Sequence, residues 1–155
     1  KTVKIMFVCH GNICRSPMAE IIFRSLCEKR KAAGLFEVSS SATSSEEIWG
    51  GRGNPVYPPA KRELARHGIG CKGKTARQMT RDDYDRFDLL IGMETWNIRN
   101  MLRITGGDAE GKIHRLLDFT PHPADIPDPW YNDRFEETWD VCLYGCKALL
   151  EYCTE

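Results

Sequence analysis

The sequence predicts an α/β fold whose parallel sheet is covered by helices on both faces, and three observations predict it. Short apolar runs rich in β-branched or aromatic residues recur at 3–8, 36–40, 87–93 and 112–117. Segments of helical character lie between them, the alternation that builds parallel sheets. The chain has 155 residues, which fits one domain, since domains usually run ~100–200 residues.

The elements follow in order. Val3 to Val8 is apolar on both faces and reads as a buried strand. A glycine-containing loop, Cys9 to Arg15, comes next. Ser16 suits an N-cap and Pro17 the first helical position, so a helix is expected from Met18 to about Ala33, closed by Gly34. Ile21, Ile22, Leu26 and Cys27 mark its apolar face. Phe36 to Ser40 is a second strand. Residues 43–58, rich in Ser, Gly, Asn and Pro, read as a long surface loop. Pro59 to His67 is a helix closed by Gly68, Phe87 to Met93 a third strand, Thr95 to Leu102 a helix, and Lys112 to Leu117 a fourth strand. Residues 118–131 hold four prolines and are expected to be irregular. The last helix, about 133–153, puts Trp139, Cys142, Leu143, Cys146, Leu149, Leu150 and Cys153 on one stripe.

Composition excludes several classes of function. Lys+Arg and Asp+Glu are both 22, so the net charge is zero, which argues against nucleic acid as a partner. The longest apolar run, Ile5 to Cys9, is far short of the ~20 residues that span a bilayer, so no membrane partner is expected. It is also too short for a signal peptide's apolar region, and no small-residue cleavage site follows it. The seven cysteines read as free thiols of a cytoplasmic protein. A monomer is expected. Charge is uneven: residues 1–35 carry seven Lys/Arg and two Glu, whereas residues 116–155 carry nine Asp/Glu and two Lys/Arg. Two solvated surfaces would explain this, and so would an anion site opposed by an acidic loop.

The loop Cys9-His10-Gly11-Asn12-Ile13-Cys14-Arg15-Ser16, between a strand and a helix, carries the chemistry. Such loops lie at the C-terminal ends of parallel strands, where ligands bind. Curled into a helix start, successive N–H groups make an anion nest reinforced by the helix dipole. Gly11 relieves the backbone, and Arg15 offers a planar fork to two phosphate oxygens. The same groups favour the Cys9 thiolate, and Ser16 is placed to hydrogen-bond the sulfur. Cys9 therefore reads as a nucleophile facing a tetrahedral oxyanion. Zinc binding by Cys9, His10 and Cys14 lacks a second ligand pair at metal spacing, so no metal is expected.

Val8 to Pro17 resembles the signature loop of the low-molecular-weight protein tyrosine phosphatases, Cys-x5-Arg-Ser-Pro. The likeness runs over nearly the whole chain: Ser40-Ser41-Ala42-Thr43-Ser44, Asn54-Pro55, Arg66-His67-Gly68-Ile69, Ala76-Arg77-Gln78 and Asp128-Pro129-Trp130-Tyr131 are similar to further family blocks. The resemblance implies one domain over 1–155 with a four-stranded, doubly wound, flavodoxin-like sheet and no cofactor. It implies hydrolysis of phosphotyrosine on a protein or peptide, with inorganic phosphate as product. Cys9 would attack, Arg15 would hold the phosphate, and Asp128 would act as general acid and then base, with Asp125 as its rival. Trp130 and Tyr131 would wall the tyrosine ring. Trp49, in a segment about four residues longer than in familiar members, would either cover the cleft or anchor its own loop. Ile13 leans toward phosphotyrosine, because a related protein-arginine phosphatase group has Thr there. Asn12, Ser16 and Ser40 match positions that support the loop. A further partner, often His, falls on Lys74, which puts the full support network in doubt. Cys14 matches a cysteine that traps oxidised Cys9 as a disulfide.

Two other classes of function compete. A thioredoxin-coupled arsenate reductase needs further relay cysteines, and residues 80–100 contain none. A non-catalytic phosphate-binding module would be expected to have lost Cys9, Arg15 or Asp128.

Overall fold

The first strand is buried on both faces, and its two faces feed two different cores. In the computed structural model, which describes residues 1–155, β1 (Val3–Cys9) sends Ile5, Phe7 and Cys9 into a larger cluster and Met6 and Val8 into a smaller one. This is the strand period of two at work. The larger cluster lies under α1 (Arg15–Lys29) and α6 (Phe135–Thr154), the smaller under α4 (Thr95–Thr105). Both faces of the sheet are thus covered. The remaining strands are β2 (Phe36–Ala42), β3 (Ile48–Trp49), β4 (Arg52–Gly53), β5 (Leu89–Gly92) and β6 (Ile113–Arg115). The sheet runs β2-β1-β5-β6, all parallel, as the sequence predicts. Chain order reverses between β2 and β5, on either side of β1, so the switch point falls at the C-terminal end of β1. Removing a side chain such as Phe7, wholly buried there, costs about 3–5 kcal/mol.

Several boundaries differ from expectation. Helix α1 begins at Arg15, three residues before Met18, and Cys14 rather than Ser16 is its N-cap. The Ser16 hydroxyl is engaged elsewhere, and Pro17 is accommodated in a first turn that needs no donor. The helix stops at Lys29, not Ala33. Lys31 takes the left-handed turn (φ 55°), with Lys31 N donating to Glu28 O and Ala32 N to Cys27 O. That is the Schellman pattern on a residue other than glycine. Gly34 lies in a one-turn 3₁₀ helix.

The stretch 43–58 is not all loop. It holds the antiparallel pair β3 and β4, joined by Gly50 and Gly51, both at positive φ as a type I′ turn requires. Helix α2 is Pro58–Arg66, and a short α3, Asp83–Arg86, has no counterpart in the sequence pattern. The fourth strand ends at Arg115 and passes into a 3₁₀ turn, Leu116–Phe119. The proline-rich stretch ends in a regular turn, α5 (Pro129–Asn132), because Pro129 occupies the first helical position, where proline is tolerated. On α6, Trp139, Cys142, Cys146, Leu149 and Leu150 are buried as predicted, while Leu143 and Cys153 are only partly so. No helix is long and apolar enough to cross a membrane.

Candidate active site

The loop after β1 wraps around its own first residue. Cys9 Sγ receives the backbone N–H of Asn12 at 3.3 Å and that of Ser16 at 3.4 Å, and it shares a hydrogen bond with Ser16 Oγ at 3.0 Å. Ser16 N–H is one of the helix-start donors with no partner inside α1. Negative charge on the sulfur is thereby met by three donors and a helix dipole.

Asn12 makes the loop possible. Its φ of 59° is left-handed, so the positive-φ residue of the loop is Asn12 and not Gly11. Gly11 has a different constraint: a Cβ there would lie 3.2 Å from Glu47 Cγ. The Asn12 amide donates to Ser16 Oγ (2.8 Å) and Ser40 Oγ (3.0 Å) and accepts from Arg77 N–H (3.0 Å). Ser40 Oγ donates to Glu20 Oε1 at 2.5 Å. Lys74, the position at which the resemblance puts the support network in doubt, enters that network: its Nζ lies 3.5 Å from Glu20 Oε1 and donates to Ser40 O at 3.2 Å. Arg24 pairs with Glu20 from the other side at 3.0 Å. The chain of contacts from Lys74 to Cys9 is thus complete. The sequence assigns Glu20 no role. Its one signal there is its spacing of a helical turn after Ser16, on the same face of α1.

Arg15 is 1% exposed, and both terminal nitrogens of its guanidinium have partners. Nη1 lies 2.6 Å from Glu94 Oε2 and donates to Ile126 O at 2.8 Å, while Nη2 lies 3.4 Å from Asp128 Oδ2. Burial alone would make this cation less basic, but Cys9, Asp128 and Glu94 outweigh it and hold its pKa raised. Glu94, to which the sequence also assigns no role, therefore fixes the plane of the fork. Asp128 caps α5 by accepting Trp130 N–H at 3.0 Å through Oδ1, which leaves Oδ2 toward Arg15. Asp125 does not line the cleft. It accepts from Thr95 N, Thr95 Oγ1 and Arg115 Nη1 at 2.8, 2.9 and 3.0 Å.

These residues meet in a cleft of about 270 Å³ lined by Cys9, His10, Gly11, Ile13, Cys14 and Arg15 from the loop, and by Glu46, Glu47, Asp128, Trp130 and Tyr131 from outside it. Of the seven basic residues in 1–35, Arg15 alone lines it, so the basic N-terminal part as a whole is not the anion site. His10 reaches sideways to Glu46 at 2.6 Å. Trp130 packs on Tyr57 (centroids 4.8 Å), which packs on Phe135 (6.0 Å), so this wall is braced, whereas Tyr131 is 85% exposed. Trp49 is not in the cleft lining, and at 74% exposure it does not anchor its loop either. Glu46 and Glu47, from the same segment, occupy that side of the cleft. Nothing in the composition of 43–58 distinguishes the side chains that turn inward. Cys14 is buried, and burial, with Cys9 adding to it, pushes its thiol well above the ordinary range.

A larger concavity of about 710 Å³ lies between α1, β2 and residues 68–74. It has no nucleophile held by donors, so its size does not make it the reaction site. Glu20 and Lys74 are among its lining residues.

Three comparisons agree. A sequence model described as low molecular weight phosphotyrosine protein phosphatase matches residues 4–155. The chain is 39% identical over 150 residues to the low molecular weight protein-tyrosine-phosphatase YfkJ of Bacillus subtilis (strain 168), covering 96% of this chain and 94% of that one. It is 37% identical over 155 residues to the low molecular weight phosphotyrosine protein phosphatase of Homo sapiens, covering 97% and 95%. The crystal structure of YfkJ from Bacillus subtilis superposes with a TM-score of 0.93 at 37% identity, covering 99% and 96%. That of SP-PTP, a low molecular weight protein tyrosine phosphatase from Streptococcus pyogenes, gives 0.85 at 33%, covering 97% and 93%. The chain belongs to the low molecular weight phosphotyrosine protein phosphatase family.

Proposed function

We propose that this protein-tyrosine phosphatase hydrolyses phosphotyrosine monoesters through a cysteinyl-phosphate intermediate. The observation that carries the reading is the convergence on one buried sulfur, Cys9 Sγ, of two backbone N–H groups and a hydroxyl, beside the Arg15 guanidinium and a carboxyl, Asp128, in the same small cleft. Cys9 thiolate attacks phosphorus in line, forming the S–P bond as the bond to the tyrosyl oxygen breaks. Loop N–H groups and Arg15 hold the equatorial oxygens. Glu94 and the Ile126 carbonyl keep the Arg15 fork in place before substrate arrives.

Asp128 gives its proton to the departing phenolate. It then takes one from the water that attacks the cysteinyl-phosphate, releasing inorganic phosphate and the Cys9 thiolate. Ser16 Oγ stabilises that thiolate as a leaving group. Asp128 is favoured over Asp125 because it lines the cleft with one oxygen toward Arg15, whereas Asp125 is held by Thr95 and Arg115. Trp130, braced by Tyr57, and Tyr131 wall the tyrosine ring, and Ile13 gives it an apolar contact. Asn12, Ser16 and Ser40, joined by Lys74 through Glu20, hold the loop. If Cys9 is oxidised to a sulfenic acid, the Cys14 thiol condenses with it to a disulfide and releases water. This thiol chemistry suits a reducing compartment, the cytoplasm.

The test is phosphate release from matched phosphotyrosine, phosphoserine and phosphoarginine peptides, with Cys9→Ser as the blank. Turnover of the phosphotyrosine peptide, lost in the variant by on the order of 10⁴-fold or more, is expected. Preference for phosphoarginine overturns the substrate and leaves the mechanism. No Cys9-dependent release from any peptide overturns the mechanism and points to thiol-coupled arsenate reduction.

A further inference from the structure

The larger concavity shares no lining residue with the cleft. Its volume, about 710 Å³, suits a small organic molecule. Ile21, Phe36, Val38 and Ile69 give it an apolar lining. Its charges are unequal: Arg24, Lys72 and Lys74 face Glu20 and Glu28, which leaves one positive charge in excess.

The charges are also spread along α1. Glu20, Arg24 and Glu28 follow one another at four-residue spacing. Glu28 is therefore about 12 Å from Glu20 along the helix axis, beyond the ~8 Å over which salt screens exposed charges. At the Glu20 end the carboxylate is committed. Its Oε1 accepts from Ser40 Oγ and lies 3.5 Å from Lys74 Nζ, and its Oε2 accepts from Arg24 Nε at 3.2 Å. The cations there still have donors to spare. Arg24 uses Nε and Nη2, the latter also donating to Val38 O, and Nη1 has no partner. Lys74 Nζ carries three N–H groups and meets two acceptors, Glu20 and Ser40 O. Lys72 is exposed and engages no carboxylate. One end of an apolar groove thus offers unfilled cationic donors.

We propose that this concavity binds a small amphipathic carboxylate, with its head at Arg24, Lys72 and Lys74 and its apolar body along Ile21, Val38 and Phe36. A monoanion matches the single excess charge, and a planar two-oxygen head suits a guanidinium N–H beside an ammonium. Binding also reaches the sulfur. The head competes with Glu20 for Arg24 and Lys74. Glu20 holds Ser40, Ser40 accepts from Asn12, and Asn12 donates to Ser16, which bonds Cys9 Sγ. Drawing the two cations away loosens that chain, so the ligand lowers kcat from outside the cleft. This effect on kcat rests on the reaction proposed above, whereas the binding site does not.

The experiment titrates 4-phenylbutyrate, its neutral amide and acetate by calorimetry into wild type, Cys9→Ser, Lys72→Glu and Ile69→Asp, and follows p-nitrophenyl phosphate turnover in parallel. 4-Phenylbutyrate is expected to bind wild type and Cys9→Ser alike with a Kd of about 1 mM, the strength usual for a ligand of that size. The amide and acetate should bind about 10-fold more weakly. Lys72→Glu and Ile69→Asp should each weaken 4-phenylbutyrate about fivefold and leave turnover without ligand unchanged. Saturating ligand should lower kcat several-fold with KM unchanged. No binding, or binding that neither variant weakens, overturns the proposal. Equal binding of the amide overturns the anionic head, and equal binding of acetate overturns the apolar body. A rise in KM places the ligand in the cleft and overturns the site. Binding that leaves kcat unchanged overturns the link to Cys9. If wild type shows no Cys9-dependent turnover, the reading of the reaction has failed instead, and calorimetry on the same variants decides the site.

Discussion

The two sides of the cleft are built by opposite rules. Beneath the sulfur, Cys9 and residues 12–16 are buried, and nearly every polar atom is bonded to another part of the same network. Around the rim, His10, Glu46, Trp130 and Tyr131 stand partly or largely in water, and the hairpin carries a bare Trp49. The buried side fixes what reaction occurs, because charge stabilisation requires donors aimed before the substrate arrives. The exposed side can vary without disturbing that geometry. On the proposed function, the difference sets the sulfur's hydrogen-bond donors, which are buried, against the aromatic walls, which stand at the rim, with Ile13 the one residue of the buried loop that also meets the ring.

Substitutions that break the comparison have the largest effects. Arg15→Lys keeps the charge but loses the fork held by Glu94 and Ile126 O. We expect kcat to fall about 10³-fold with the fold intact by circular dichroism. Asp128→Asn should slow phosphotyrosine about 10²-fold and leave p-nitrophenyl phosphate, whose leaving group needs no proton, little changed. Equal loss on both substrates would mean that Asp128 is not the acid.

Ser40→Ala sharpens the comparison. Ser40 touches no substrate but donates to Glu20 and accepts from Asn12. Its loss should lower unfolding free energy by about 1–3 kcal/mol in urea titrations. It should also reduce kcat several-fold with KM unchanged. A rise in KM instead would place the network in binding.

The smallest effect lies away from both sides, at Asp125. Its partial burial would raise the carboxyl, but bonds from Arg115 and Thr95 outweigh this and hold it below the usual range. A depressed carboxylate stabilises the fold fully above its unfolded value of about 3.9 and loses that contribution as pH falls through its lower folded value. Asp125→Asn should therefore be less stable at neutral pH by under about 1 kcal/mol, given its exposure, with the gap closing below about pH 4.

The buried side is also the more legible in sequence. Val3 to Val8 and the spacing of Cys9, Arg15 and Ser16 announce a strand, a nest and a helix because local chemistry and tertiary role coincide there. Where they compete, sequence and structure part. Ser16 is a cap by type, but its hydroxyl serves Cys9 and Asn12, so α1 starts earlier than its best capping residue. Pro129 sits among breakers and is a starter. Glu94 is invisible as a partner because an ion pair between distant segments leaves no periodic trace, and Glu20 shows only its helical-turn spacing from Ser16 and Arg24. Trp49 neither covers the cleft nor anchors its loop for a related reason: whether a loop side chain turns in or out depends on a hairpin only two residues per strand long.

Asn12 narrows what the chain may become. The position asks for two things that are normally supplied by different residue types: a backbone in the left-handed region and an amide that both gives and accepts. Glycine would satisfy the first demand and drop the second. Aspartate tolerates the backbone but trades two donated hydrogens for a carboxylate beside the Cys9 network, where it would repel the thiolate. Alanine or serine would strain the turn. The alphabet available at residue 12 is thus short, and a random walk through neighbouring sequences can pass on either side of this loop far more readily than through it.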